Sequence, residues 1–216
     1  MSHYVKFTYE RARAKIAPLD QLPELNKYRQ KLRELRLVGV DAKGIGFGNL
    51  SVREGGTSNF YVTGSATGGL HKLTLANCVR VVAYDFEKNW LRYEGAATPS
   101  SESLTHAAIY GSDRMTCGVI HCHDPALWAS LLDRAPASSK AVAYGTPQMA
   151  YEIMRLFRAG DVRTRNILVM AGHEGGIMAF GKDLEAAFAV LMREREVSST
   201  CIKIAFHEDI RARHEG

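Results

Sequence analysis

Two histidines separated by a single residue, His121 and His123, carry the strongest chemical signal in the chain. They end an apolar run over 117–123 that reads as a strand. Strand side chains alternate between faces, so both imidazoles point the same way and can share one ion, while Cys122 points to the other face. A His-x-His pair alone more often describes one packed and one surface histidine. His173 shifts that balance. It follows the apolar residues Ile167, Leu168, Val169 and Met170 and sits in Ala-Gly-His-Glu-Gly-Gly, where glycine lets the backbone bend close to a ligand. Three imidazoles with an open position form the set that catalytic zinc uses. Manganese, cobalt or iron would accept the same nitrogen and oxygen donors. Glu174 is either a group that orients a ligand or an exposed loop glutamate.

Three further segments suit an anion: Gly46-Phe47-Gly48-Asn49-Leu50-Ser51, Thr63-Gly64-Ser65 and Ser100-Ser101. They offer small side chains, hydroxyls and backbone N–H groups. Ser100-Ser101 also opens an expected helix, whose N-terminal dipole favours negative charge. The same residues also mark ordinary turns. Glu102 follows at once. It either complements the helix dipole or serves as a general acid/base that takes a proton from carbon beside a metal-polarised carbonyl.

The elements that must position these groups can be read from periodicity. A short strand fits 4–9. Leu25, Tyr28, Leu32 and Leu35 recur at helical spacing and predict an amphipathic helix over 21–37. A glycine-rich break at 44–48 precedes strands at 50–53 and 60–62, and 79–86 with 90–93 predict a hairpin. Helix is expected over 101–110 with Ser100 as N-cap, after 124–125, over 149–158, and from 183 to about 197. Strands are expected at 117–123, 166–170 and 176–180. Strands dominate the first half and alternate with helices in the second, which predicts a central, mostly antiparallel sheet flanked by helices.

With 216 residues, 46% hydrophobic, the chain suits one domain over 1–216. The net charge of +5 comes from scattered Lys and Arg with no block of five, which usually means a solvated surface rather than a nucleic-acid groove and fits a small phosphate substrate equally well; no nucleic-acid partner is expected. Cys78, Cys117, Cys122 and Cys201 form no Cys-x-x-Cys pair, so reduced thiols in a cytoplasmic protein are expected. No apolar run is long enough to span a bilayer, and no membrane partner is expected.

Taken in order, Gly48-Asn49-Leu50-Ser51, Thr63-Gly64, Pro99-Ser100-Ser101-Glu102, Val119-Ile120-His121-Cys122-His123 and His173 resemble the class II aldolase/adducin family, and fuculose-phosphate aldolases in particular. The resemblance covers about 25–192. It implies a three-layer α/β/α domain around a mostly antiparallel sheet, in a cyclic homotetramer with sites at subunit interfaces. It implies that His121, His123 and His173 hold zinc and that Gly48, Asn49, Thr63, Gly64, Ser100 and Ser101 grip a sugar phosphate. Glu102 would be the acid/base, touching the metal when substrate is absent. The implied activity in carbohydrate metabolism is a metal-dependent lyase that cleaves or forms a C–C bond in a small phosphorylated ketose through a metal-stabilised enediolate. Epimerase, dehydratase or decarboxylase chemistry, or a non-catalytic adducin-like module, are the alternatives. Glu102 favours an aldolase over the epimerase, whose counterpart is usually aspartate.

The chain also departs from the pattern. Gly46 stands where these aldolases usually have a phosphate-binding threonine. The stretch between His123 and Tyr144 is short and lacks the loop that carries a catalytic tyrosine. Tyr144 or Tyr151, otherwise core or interface residues, are candidates to replace it. Residues 201–216 form a polar tail, either frayed or reaching a site, with His207 a candidate proton donor.

Overall fold

The computed structural model describes residues 5–214, and the side chains of residues 5–200. Ten strands and six helices follow in the order β1 (Thr8–Arg11), α1 (Leu22–Glu34), β2 (Gly39–Val40), β3 (Gly46–Phe47), β4 (Asn49–Arg53), β5 (Phe60–Thr63), β6 (Cys78–Asp85), β7 (Trp90–Glu94), α2 (Ser103–Ser112), β8 (Gly118–His123), α3 (Pro125–Leu131), α4 (Pro147–Ala159), α5 (Val162–Arg165), β9 (Ile167–Val169), β10 (Gly176–Gly181) and α6 (Leu184–His214). Eight strands form one sheet in the order β1-β7-β6-β5-β4-β8-β10-β9, and β2 with β3 make a separate small ribbon. Every pair in the large sheet is antiparallel except β1 with β7.

Alternation along β8 separates two cores. Val119 packs with Met178, Phe180 and the α2 residues Leu104, Ala107, Ala108 and Ile109 on one face. Ile120 and Cys122 pack on the other face with Ile177, Ala179, Leu25, Leu184 and Leu191. The sheet therefore lies between α2 and α4 on one side and α1, α3 and α6 on the other, giving the expected three layers. His121 and His123 share the face of Val119, and Cys122 is buried on the opposite one.

Several boundaries differ from the sequence reading, each for a local reason. The first strand is Thr8–Arg11 and not 4–9; Tyr4 lies outside the described residues. Helix α1 ends at Glu34 because Arg36 turns left-handed at φ 59°, and Leu37 N–H closes the turn on Leu32 O at 2.8 Å. Helix α2 begins two residues later than expected, with Glu102 and not Ser100 at its N-cap. Ser103 donates both its N–H and its hydroxyl to Ser100 O, so Ser100-Ser101 forms a turn ahead of the helix. The last helix continues past 197 to His214, since no Gly or Pro interrupts it. The tail is thus helical, but the side chain of His207 lies outside the described residues. No helix among the described residues is long and apolar enough to cross a membrane.

Candidate active site

The three histidines meet at the end of the sheet. His121 and His123 stand on β8, and β10 brings the turn holding His173 beside them through the pairs Gly176↔His123 and Met178↔His121. The turn closes with His173 N–H on Met170 O (2.9 Å) and Gly176 N–H on His173 O (2.8 Å). Gly176 is required there, because a Cβ would stand 2.7 Å from His173 Cδ2. Among the described residues these three side chains form a cluster able to hold an ion, with ligand atoms all within 4.8 Å of one another.

The orientation of the rings suits that use. His121 Nδ1–H donates to Ile177 O at 3.2 Å, which leaves Nε2 as the lone-pair nitrogen. That Nε2 lies 3.2 Å from His123 Nε2. Two nitrogens that each bind one tetrahedral zinc at its usual bond length are roughly 3.3 Å apart, so the donor set fits. Burial keeps all three rings neutral and ready to coordinate. It lowers His123 to about 4 and, with the charges of His123 and Lys6, lowers His173 to about 3. His121 is driven well below its usual value by burial and by the neighbouring histidines.

The histidines line a cavity of about 620 Å³, and Glu102, Ser100, Ser101, Asn49, Gly48 and Gly64 line it too. Asn49 comes from β4, paired directly opposite His121. Glu102 is 1% exposed. Burial pushes its carboxyl up to about 7, against the hydrogen bond from Thr105 and the charge of Lys6. Thr105 Oγ1 donates to Oε2 at 2.8 Å, while Oε1 is buried without a partner.

One expected substrate residue lies off the cavity, and another lines it with its amide already used. Thr63 is not on the cavity wall; its hydroxyl accepts Leu50 N–H at 3.3 Å. Gly64 is on the wall, but its N–H donates to Asn77 O at 2.8 Å. A second Thr-Gly pair four residues on, Thr67-Gly68, does line the cavity, and its repetition in Thr-Gly-Ser-Ala-Thr-Gly was the signal that could have found it. Arg29, buried in α1, donates to Thr67 O (2.6 Å), Gly68 O (3.1 Å) and Leu70 O (2.6 Å). A trans peptide sets N–H opposite C=O, so the amides of Gly68 and Gly69 point away from α1. Gly46 lacks a hydroxyl, and a Cβ on it would lie 3.4 Å from Gly68 N.

The cavity wall also includes Arg36, Asp41, Phe47 and Tyr144. Of these, Phe47 lies in the glycine-rich segment noted from sequence and Tyr144 was a named candidate, while Arg36 and Asp41 were not noted. Its ring centroid lies 4.3 Å from that of His173, and Lys6 Nζ stands 3.8 Å above it. Tyr151 is 45% exposed on α4, away from this wall. Glu174 is exposed and Lys6 lies outside every motif noted in the sequence.

Comparison with known proteins agrees with this architecture. The family described as class II aldolase and adducin N-terminal domain matches residues 40–199. An L-fuculose 1-phosphate aldolase structure superposes with a TM-score of 0.66 at 24% identity, covering 89% of this chain and 89% of that one. The L-fuculose-1-phosphate aldolase from Thermus thermophilus gives 0.62 at 18% identity over 87% of this chain and 95% of that one. A sugar-phosphate aldolase from Thermotoga maritima gives 0.61 at 15% identity over 86% and 96%. At these identities the likeness is one of fold. A comparison with curated proteins gives no match.

Proposed function

We propose, because the chain belongs to the class II aldolase and adducin N-terminal domain family, that it is a metal-dependent lyase making or breaking a C–C bond in a small phosphorylated ketose. One observation carries this reading: three neutral imidazoles and a buried carboxyl poised near neutrality share one cavity. His121, His123 and His173 would hold a divalent ion, zinc by preference, which when bound polarises the substrate carbonyl and offsets developing negative charge, an effect of several kcal/mol. Asn49, Ser100, Ser101 and the amides of Gly68 and Gly69 grip the phosphate. Gly68 N–H supplies the donor that a threonine at 46 would have offered.

In the bond-forming direction, Glu102 takes a proton from C3 of dihydroxyacetone phosphate, and the C–H electron pair moves toward the C2 carbonyl to give an enediolate. C3 then attacks the aldehyde carbon, and the new alkoxide takes a proton from the protein. Tyr144, against His173, is the candidate donor. A carboxyl near 7 accepts and returns protons efficiently at neutral pH.

The test is metal analysis of the purified protein, followed by assay against a panel of ketose 1-phosphates. About one divalent ion per chain and cleavage of at least one ketose are expected. Glu102→Gln should keep the ion and lose roughly a hundredfold or more in turnover. Undiminished turnover would remove Glu102 from the mechanism, and a metal-free, inert protein would favour the adducin-like reading. Inorganic phosphate should compete with substrate. We also propose that the chain is one domain working as a homotetramer, with light scattering giving four times the chain mass.

A further inference from the structure

Helix α2 lies along β4 with its residues in step. Glu102 and Asn49 line the cavity, His106 Nδ1 lies 2.6 Å from Ser51 Oγ one turn further on, and Arg53 donates to Tyr110 O at 2.6 Å at the far end. Between the cavity and that far end sits His106, 0% exposed, with Nε2 unpartnered. Two other buried side-chain atoms are also unpartnered: Glu102 Oε1, one turn earlier than His106 on α2, and Asn49 Oδ1, two residues before Ser51 on β4.

Proton counting assigns the donor. Ser51 Oγ also lies 2.7 Å from Tyr110 OH. If His106 Nδ1 carried the proton, Ser51 would donate to Tyr110, and both the Tyr110 proton and His106 Nε2 would be unused. If Tyr110 donates to Ser51 and Ser51 donates to His106 Nδ1, every hydroxyl proton is used and only Nε2–H is left over. The second arrangement leaves fewer unmet groups in a buried site, where an unsatisfied donor or acceptor is costly. The seam then holds one donor, His106 Nε2–H, and two acceptors, Glu102 Oε1 and Asn49 Oδ1. A single water accepts one hydrogen bond and donates two, which matches this set, and buried waters make about three bonds.

We propose that His106 is a positioning residue, whose Nε2–H anchors one buried water that donates to Glu102 Oε1 and Asn49 Oδ1. This rests on the reading of Glu102 as the acid/base and explains how its carboxyl is held: Thr105 fixes one oxygen and the water fixes the other. The same water ties the substrate-facing asparagine to the catalytic carboxyl, so the two keep a constant separation.

The test combines a high-resolution crystal structure of the zinc-loaded protein with deuterium exchange into C3 of dihydroxyacetone phosphate, followed by proton NMR. The expected structure has an ordered water within about 3.2 Å of all three atoms. His106→Leu should lose it and slow exchange about tenfold or more at unchanged zinc content and little changed KM. His106→Gln, which can present an N–H at the Nε2 position, should recover most of the exchange. Absence of that water, Nε2 bonded to a protein group, or His106→Leu exchanging at the wild-type rate would overturn the proposal. Should His106→Leu fail to fold, the water and the His106→Gln rate decide it. Glu102→Gln exchanging at the wild-type rate would instead sink the acid/base role, whatever the water shows.

Discussion

The two ends of the α2–β4 seam use buried polarity in opposite ways. At the far end Arg53 donates to Thr116 O at 2.9 Å, Tyr110 O at 2.6 Å and Asp113 O at 2.8 Å, and its guanidinium lies 4.8 Å over the Tyr110 ring. There a buried charge is saturated by carbonyls at the end of a helix, and the result is a brace. At the cavity end Glu102 and Asn49 each keep a buried oxygen without a protein partner. Saturated groups gain nothing from a ligand, whereas groups left short of partners bind one more strongly. One helix and one strand thus supply both the scaffold and the chemistry, distinguished by whether hydrogen-bonding capacity is spent within the fold.

The largest expected effect separates metal binding from folding at the cavity end. The double change His121→Ala and His123→Ala should abolish binding of nearly one ion per chain while the protein still folds, by metal analysis and circular dichroism. A metal-replete double variant would break the assignment of the cavity end. Next, Arg53→Ala should destabilise the protein by about 4 kcal/mol in urea unfolding, because two buried carbonyls and one partly buried one lose their donor, yet the folded fraction should bind zinc normally. Loss of zinc without loss of stability would reverse the roles of the two ends.

Glu102 gives a smaller and pH-dependent effect. Its folded value near 7 lies above the ordinary 4.5. Its neutral form is therefore favoured by the fold, and the associated stability is present below pH 4.5 and lost as pH rises through 7. Metal-free Glu102→Gln should match wild type near pH 4 and become more stable above pH 7, by at most about 3 kcal/mol. The buried histidines act with the opposite sign. Depressed to about 4 at His123 and about 3 at His173 and His106, they cost stability as pH falls below 6.5, equally in both proteins. An advantage of the variant at pH 4 would contradict the direction given for Glu102.

The smallest change sharpens the comparison within the site. Tyr144→Phe should slow ketose cleavage yet leave deuterium exchange into dihydroxyacetone phosphate nearly intact, since exchange needs no donor to the alkoxide. Tyr151→Phe should alter neither, and stability should stay within about 0.5 kcal/mol. Equal effects at both tyrosines would remove Tyr144 from its proposed role.

Much of this was legible in the residues. The period-two alternation over 117–123 placed both imidazoles on one face, with Cys122 opposite, because strand geometry leaves no other choice. Leu25, Tyr28 and Leu32 marked α1 by their helical spacing and are all buried. The central, mostly antiparallel sheet flanked by helices followed from strands early and alternation later, while the three-layer order came with the family resemblance.

What only tertiary structure decided was which groups still had a hydrogen bond to give. Thr63-Gly64 and Thr67-Gly68 look alike as text, but the Gly64 amide is taken by Asn77 O, while Arg29 from a distant helix holds the carbonyls of the later pair. Ser100 had the composition of an N-cap, but the turn that Ser103 closes on its carbonyl moved the helix start to Glu102's side. Local sequence dictates which way a side chain points from its own element. Whether that side chain is already partnered depends on elements far away in the chain, and that is settled only when they pack.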